Sequence, residues 1–208
     1  MSQEALPEDS YLTLKGESEG LYKEKGSKFL AFAYPVKNEG DIKEKLEHLR
    51  KKYYDARHHC YAYILGKDQE QFRANDDGEP NHSAGDPILG QIRSKGLTDV
   101  LIVVVRYFGG TKLGVSGLIH AYKTAAAEAI ANNETITAIL HEKVKIDFEY
   151  LSMNEVMKLI KDYELQILEQ YFDNQCQIIL EVRKNLLDEL SNKIADLHGV
   201  KMHILEER

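Results

Sequence analysis

A chain of 208 residues, 43% hydrophobic and 29% charged, is long enough to bury a sizeable core in one or two domains. No apolar run approaches the ~18 residues of a membrane span, and the start, Met1-Ser2-Gln3-Glu4, is too acidic and polar for a signal peptide. The net charge of −7 is uneven: residues 1–140 carry 18 basic and 20 acidic side chains, residues 141–208 carry 9 and 14. That balance argues against a general nucleic-acid binder and leaves room for a local basic groove in the first part.

Taken in order, residues 1–10 are expected to be disordered. Residues 11–14 alternate weakly as a first strand. Residues 23–28 read as a basic turn ahead of an apolar strand over 29–34, which Pro35 stops. Ile42, Leu46, Leu49 and Tyr53 predict a helix over 38–54. Its outer face carries Lys43, Lys45, Arg50, Lys51 and Lys52, and a solvated surface is the simpler reading of that face than a nucleic-acid contact. Asp55-Ala56-Arg57-His58-His59-Cys60 leads into a strand over 61–65. A short helix is expected over 87–95, with Gly96 as its stop. The two cysteines, Cys60 and Cys176, fall in different expected domains, so no disulfide is expected and a cytoplasmic location is.

Residues 75–133 hold most of the chemistry. An acidic turn, Asp76-Asp77-Gly78-Glu79-Pro80, precedes a polar loop, Asn81-His82-Ser83-Ala84-Gly85. The run Val100-Leu101-Ile102-Val103-Val104-Val105 fits a strand covered on both faces. It ends in Arg106-Tyr107-Phe108-Gly109-Gly110. Thr111-Lys112-Leu113-Gly114-Val115-Ser116-Gly117 then opens a helix over 118–132, with Leu118, Ala121, Tyr122, Ala125 and Ala129 on one face. Strand, glycine loop and helix together aim backbone N–H groups at whatever sits above the loop.

The spacing of Gly109, Gly114 and Ser116 approaches that of a phosphate-binding loop. Val115 stands where such a loop has its lysine, which excludes a Walker-type ATPase. Phosphate cradling without hydrolysis and tight helix–sheet packing both remain open. Three carboxylates within four residues, Asp76, Asp77 and Glu79, suit a hydrated Mg²⁺ or a surface Asp-Gly turn, and spacing alone favours the turn. His58 and Cys60 share a strand face, which is not attack geometry for a Cys–His nucleophile. No second Cys/His cluster has zinc-ligand spacing, and no metal or cofactor is expected. His82 and Ser83 suit either a ligand contact or an ordinary surface loop.

Beyond residue 138 the pattern changes. Val144, Ile146, Phe148 and Tyr150 alternate with polar residues as a half-exposed strand. Ser152-Met153-Asn154-Glu155 reads as a capping box opening a helix to residue 163. Strands over 165–172 and 176–182 are joined at Asp173-Asn174, a hairpin signal. A helix over 185–198, with Leu186, Leu190, Ile194 and Leu197 inward, ends at Gly199, and a last strand covers 200–205. The order βαββαβ is the ferredoxin-like arrangement. The expected domains are 1–138 and 139–208, the second a docking module.

The residues Asp76–Pro80, Ala84-Gly85, Arg106–Gly110, Leu113-Gly114, Gly117-Leu118 and Ala121-Tyr122 closely resemble the signature of the IMPACT family, in its two-domain bacterial (YigZ-like) branch. Asp55, Ala56, His58 and Cys60 match the family's Asp-Ala-x-His-x-Cys, and the resemblance covers nearly the whole chain. It implies an α+β fold: an N-terminal α/β domain like domain 2 of ribosomal protein S5, then a ferredoxin-like domain like domain V of elongation factor G. It also promotes the acidic motif from a turn to a candidate site, with Asp77 and Glu79 combined with Arg106. Val115, Ser116 and His120 depart from the family's pattern, standing at its Ala, first Gly and Arg positions, so an anion-binding role of that Arg does not carry over to His120.

The function implied is a cytoplasmic binding protein rather than an enzyme, linked to regulation of translation. Its partners would be RNA, the ribosome, or a translation-related protein docked on the second domain. The candidate binding residues are His58, Asp76, Asp77, Glu79, His82, Ser83, Arg106, Gly109, Gly110, Lys112, Gly114, Ser116 and Gly117, with none assigned a catalytic role. A nucleic-acid groove would draw on Lys23, Lys25, Lys28, Arg57 and Lys112. The alternative is an enzyme or binding protein for a phosphorylated small molecule, through the fold resemblance to GHMP-type kinases. There Asp77 or Glu79 would be base or metal ligand, and Arg106 and Lys112 would hold phosphate. A third reading is a regulator that binds a partner without touching nucleic acid.

Overall fold

The structure, a computed structural model, describes residues 7–173 and 175–205. The chain divides into two compact units, one over Tyr11–Ala138 and one joining residues 7–10 to 139–205.

The first unit runs β1 (Ser10–Leu14), β2 (Ser18–Glu24), β3 (Ser27–Pro35), α1 (Glu39–Lys52), β4 (His58–Leu65), β5 (Gln71–Asn75), α2 (Gly85–Ser94), β6 (Val100–Tyr107), α3 (Gly114–Ala131) and β7 (Thr135–Ile139). Strands β1 and β7 form a two-stranded sheet, and five strands form a sheet in the order β2-β3-β6-β4-β5. Every neighbouring pair in the larger sheet is antiparallel.

Strand β6 lies at the centre, and its apolar run follows from what covers it. Val100, Ile102 and Val104 pack in one core with Ile88 and Ile92 of α2 and Leu118, Tyr122 and Ala125 of α3. Leu101, Val103 and Val105 pack on the opposite face with Ile42, Leu46 and Leu49 of α1. A strand with helices on both faces has no solvent side, so polar alternation is lost whether its neighbours run parallel or antiparallel.

Several elements differ from the sequence expectation. Strand β2 was not expected: residues 18–22 carried no assignment, and the turn expected over 23–28 begins within the strand's last two residues. It is an edge strand, and Gly20 lies so close to α3 that a Cβ there would sit 2.5 Å from the Ala129 nitrogen. Strand β5, the other edge, carries Gln71, Phe72 and Arg73 in solvent and has no apolar stripe to signal it. Helix α3 begins at Gly114, before the apolar pattern does, because Val115 and Ser116 of its first turn face solvent.

The second unit runs β8 (His141–Phe148), a 3-10 turn (Tyr150–Ser152), α4 (Met153–Asp162), β9 (Gln166–Phe172), β10 (Cys176–Arg183), a 3-10 turn (Lys184–Leu186), α5 (Leu187–Ala195) and β11 (Val200–Leu205). Its sheet order is β11-β8-β10-β9, with antiparallel pairing throughout. Val144, Ile146 and Phe148 point into a core with Ile160, Ile178, Leu180 and Leu190, which is the alternation read from β8.

Two expectations here need correction. Ser152 makes no side-chain cap on α4; its hydroxyl donates to the carbonyl of His198 at 3.0 Å, so a long-range acceptor displaces the local capping bond. Residues 1–10 were expected to be disordered. Positions 1–6 lie outside the described residues, but Asp9 is 3% exposed and accepts from Arg183 Nε at 2.5 Å and Nη2 at 2.9 Å. The Arg183 hydrogen bond holds its carboxyl below the ordinary range. The hairpin position Asn174 also lies outside the described residues. Among these residues no helix is long and apolar enough to cross a membrane.

Candidate functional site

The acidic turn follows β5, and each of its carboxylates meets a partner brought from elsewhere in the fold. Asp76 Oδ1 accepts from the backbone N–H groups of Ala84 (2.9 Å) and Gly85 (2.8 Å), and Oδ2 from that of His82 (2.8 Å). Ala84, at the N-cap of α2, has no capping side chain, so Asp76 supplies the cap from eight residues upstream. Burial works to raise its pKa, yet the N–H groups of Gly85, His82 and Ala84 outweigh burial and hold the carboxyl below its ordinary value. Asp77, with a positive φ of 41°, accepts from the His59 N–H at 2.6 Å and lies 3.8 Å from Arg50. Its carbonyl lies 2.9 Å from His58 Nδ1.

Glu79 points the other way, into the unit. Its Oε1 lies 2.5 Å from Arg106 Nη1 and accepts from the Tyr122 hydroxyl at 2.8 Å. Tyr122 in turn lies 3.3 Å from Cys60 Sγ, which also lies 3.0 Å from the Asp76 carbonyl. Burial pushes the Cys60 thiol far up, so it is an inert core group. Burial also pushes the Tyr122 phenol far up, and it stays a neutral donor. The expected joining of Asp77 and Glu79 on Arg106 therefore divides in two: Glu79 alone meets Arg106, and Asp77 ties the turn to β4. All three carboxylates are engaged within the protein.

Arg106 sits at the end of β6, paired in register with Phe29 and His58. Its guanidinium lies 5.5 Å from the Phe29 ring centroid and 5.7 Å from that of Phe108. The side chain is 8% exposed, and its buried Nε has no hydrogen-bond partner among the described residues.

A cleft of about 470 Å³ opens at this end of the sheet. Arg57 and His58 of the β4 start, Glu79 and Pro80 of the turn, and Arg106 form part of its wall. Phe108, Lys112 and the α3 entry from Leu113 to Val115 form the rest, with Leu118. A second hollow of about 490 Å³ is lined by Lys23, Lys28, Leu21, Leu30, Gly26 and Tyr107, and again by Phe108. Phe108, 56% exposed, is thus a wall of both.

Of the candidate residues, His58, Glu79, Arg106, Lys112 and Gly114 line the cleft. Asp76 and Asp77 instead hold the turn. His82 is exposed, with Nδ1 2.6 Å from Asp86, and Ser83 is buried, donating to the Pro80 carbonyl. Gly109 serves close packing: a Cβ there would lie 1.9 Å from the Gly26 carbonyl carbon. Gly110 stands beside it in the loop, and Gly114 opens α3 with a φ of 74°, followed by Ser116 and Gly117 in the first turn. Lys25 stands at the tip of the β2–β3 turn, outside the lining of either hollow.

Sequence reasoning passed over Phe108 as a site residue. The available signal was its two-residue offset from Arg106, which sets both on one side of the strand as it leaves the sheet.

The comparisons with known proteins agree with this architecture. The family model for the Impact N-terminal domain matches residues 25–130. The chain is 30% identical to the IMPACT family member YigZ of Escherichia coli over 185 residues, covering 87% of this chain and 90% of that one. It is 28% identical to YvyE of Bacillus subtilis over 197 residues, covering 95% and 91%. A crystal structure described only as that of a hypothetical protein superposes with a TM-score of 0.74 at 27% identity, over 96% of this chain and 99% of that one. The chain belongs to the IMPACT family.

Proposed function

We propose that the first unit binds single-stranded RNA across the two hollows that meet at Phe108, and that the protein acts in the cytoplasm as a translation-linked binding protein. The observation carrying this reading is the exposed Phe108 ring between two sets of cations, Lys23 and Lys28 in one hollow, Arg57 and Lys112 in the other. An aromatic platform flanked by cations is the general solution for a flexible phosphate-bearing strand, since every base has a stacking face and every nucleotide a charge. The overall charge of −7 does not oppose it locally, because Glu79 is matched by Arg106 and the Asp76 carboxylate is turned to backbone donors. The resemblance to IMPACT relatives supplies the link to translation.

The first unit's five-stranded sheet is read as the ribosomal-protein-S5-domain-2-like domain. The βαββαβ order of the second unit, with β8 and β10 as its inner strands, supports the ferredoxin-like assignment. Its excess of acidic side chains suits docking on a basic protein surface.

The test is binding of a labelled single-stranded RNA across a salt series, for the wild type and for Phe108→Ala. Affinity should fall as salt rises and should drop further in the variant. A folded wild-type protein that binds no RNA at low salt would sink the reading.

A further inference from the structure

We infer that the groove between α4 and α5 is a docking site for a helical segment of a partner protein, one whose apolar stripe is flanked by cations about two turns apart. The inference rests on the docking reading of the second unit and names the site and the occupant.

The sequence builds the groove from two matching stripes. Glu155, Leu159 and Asp162 recur at the spacing of one face of α4, and Glu189, Lys193 and Asp196 do so on α5 and its C-cap. The two helices run antiparallel and are tied at both ends. Tyr163, which closes α4, donates its hydroxyl at 2.7 Å to Glu189 in the first turn of α5. Ser152, just before α4, donates to the carbonyl of His198 beyond α5. Between these ties lies a hollow of about 590 Å³. Leu159 and Leu197 pack against the core of the unit but are only partly buried, so apolar surface stays open along the floor.

The charges on the rims select the occupant. Glu155 and Asp196 stand at one end, Asp162 and Glu189 at the other. On each helix the two carboxylates are seven positions apart, ~10.5 Å along the axis. All four residues are exposed, and none is in an ion pair among the described residues. Lys158 and Lys193 lie between the two ends. The rims therefore attract a cation at each end of a ligand and reject one at its middle. Four carboxylates against two ammoniums leave the groove negative, which repels a phosphate backbone and an anionic bilayer and favours a protein segment. A helix laid between two antiparallel helices packs its ridge into their groove. Two turns of it carry cations at i and i+7 and apolar residues at i+3 and i+4, the spacing that the rims present.

The experiment uses the full chain and three helical peptides at physiological salt, read by fluorescence anisotropy. The first peptide carries Lys at i and i+7 with Leu at i+3 and i+4. The second has the same composition with the Lys and Leu positions exchanged, and in the third Glu replaces Lys. The first should bind about tenfold tighter than the second, and the third should not bind.

Asp162→Lys with Asp196→Lys reverses one charge at each end of the groove. Both positions are exposed at the C-terminal ends of their helices, where a cation suits the dipole and the fold is kept. This variant should bind the first peptide about tenfold more weakly than the wild type. Glu169→Lys with Glu181→Lys makes the same change in net charge on the sheet face away from the core, and it should leave binding unchanged. Equal binding of the two basic peptides, or weakening by the sheet-face variant, overturns the groove and leaves the docking reading standing. Binding that neither variant weakens, or no binding of either basic peptide, overturns both.

Discussion

Arg106 Nη1 lies 2.5 Å from Glu79 Oε1, and neither side chain is more than 8% exposed. The pair closes the acidic turn onto the end of β6, with the Tyr122 hydroxyl on the same oxygen. Removing either charge leaves the other buried without compensation. Glu79→Ala should cost about 3–5 kcal/mol, and Arg106→Ala a similar amount. Replacing both partners by apolar residues, Glu79→Leu with Arg106→Met, should cost clearly less than the two single changes added together. Urea denaturation of the three variants measures this. Arg106→Ala is for the same reason a poor probe of ligand binding, since it reads on folding first.

Asp76 gives the fold an acid-sensitive element. Its carboxyl is held below its ordinary value by the N–H groups of Gly85, His82 and Ala84 against the opposing effect of burial. A folded-state pKa below the unfolded one means that the contribution is complete above the unfolded value of about 3.9 and is lost as pH falls through the lower folded value. Asp76→Ala should lower stability at neutral pH by about 1–2 kcal/mol, the size of a missing helix cap. Asp76→Asn should flatten the loss of stability below about pH 4. Denaturation midpoints followed from pH 7 down to about pH 3 check both, and a variant with the wild type's acid slope would assign that slope to other carboxylates.

Gly109 and Gly110 are adjacent but glycine for different reasons. At Gly109 a Cβ would overlap the backbone of Gly26 and Ser27, where the β2–β3 turn presses on the chain leaving β6. At Gly110 there is open space, and the φ of 89° is the constraint. Gly109→Ala should cost about 3 kcal/mol, because backbone on both sides must move. Gly110→Ala should cost about 1–2 kcal/mol from the left-handed conformation alone. The order of the two unfolding midpoints is the check, and equal midpoints would mean the turn yields freely.

The parts of the fold that the sequence made legible are those whose burial leaves a periodic trace. Residues 100–105 announce β6 because helices cover both its faces, and Val144, Ile146 and Phe148 announce β8 because one face is covered. Strand β2 left no such trace. It is an edge strand whose place is set by Gly20 meeting Ala129 of α3, far along the chain. The first turn of α3 was hidden in the same way, since Val115 and Ser116 face solvent and the apolar stripe starts only at Leu118. In the site, the chemistry-bearing residues were readable but their division of labour was not. Asp76 and Glu79 stand in one short turn, and which one meets backbone and which meets Arg106 depends on partners that only tertiary folding delivers.

The salt dependence of RNA binding separates the two hollows. Each cation–phosphate pairing that a substitution removes should lower the slope of log K against log salt by ~0.7 for a single strand. Lys23 and Lys28 face each other in register across the β2–β3 hairpin, both on its surface, so neutralising them should leave the fold intact. Lys23→Gln with Lys28→Gln should reduce the slope by up to ~1.4, the equivalent of two phosphates, and weaken binding of all sequences alike. Phe108→Ala should weaken binding by about 1–3 kcal/mol with the slope unchanged, because stacking releases no counterion. A Phe108→Ala variant whose slope falls with its affinity would mean that the ring positions the neighbouring cations instead of stacking on a base, and titrations at several salt concentrations distinguish the two.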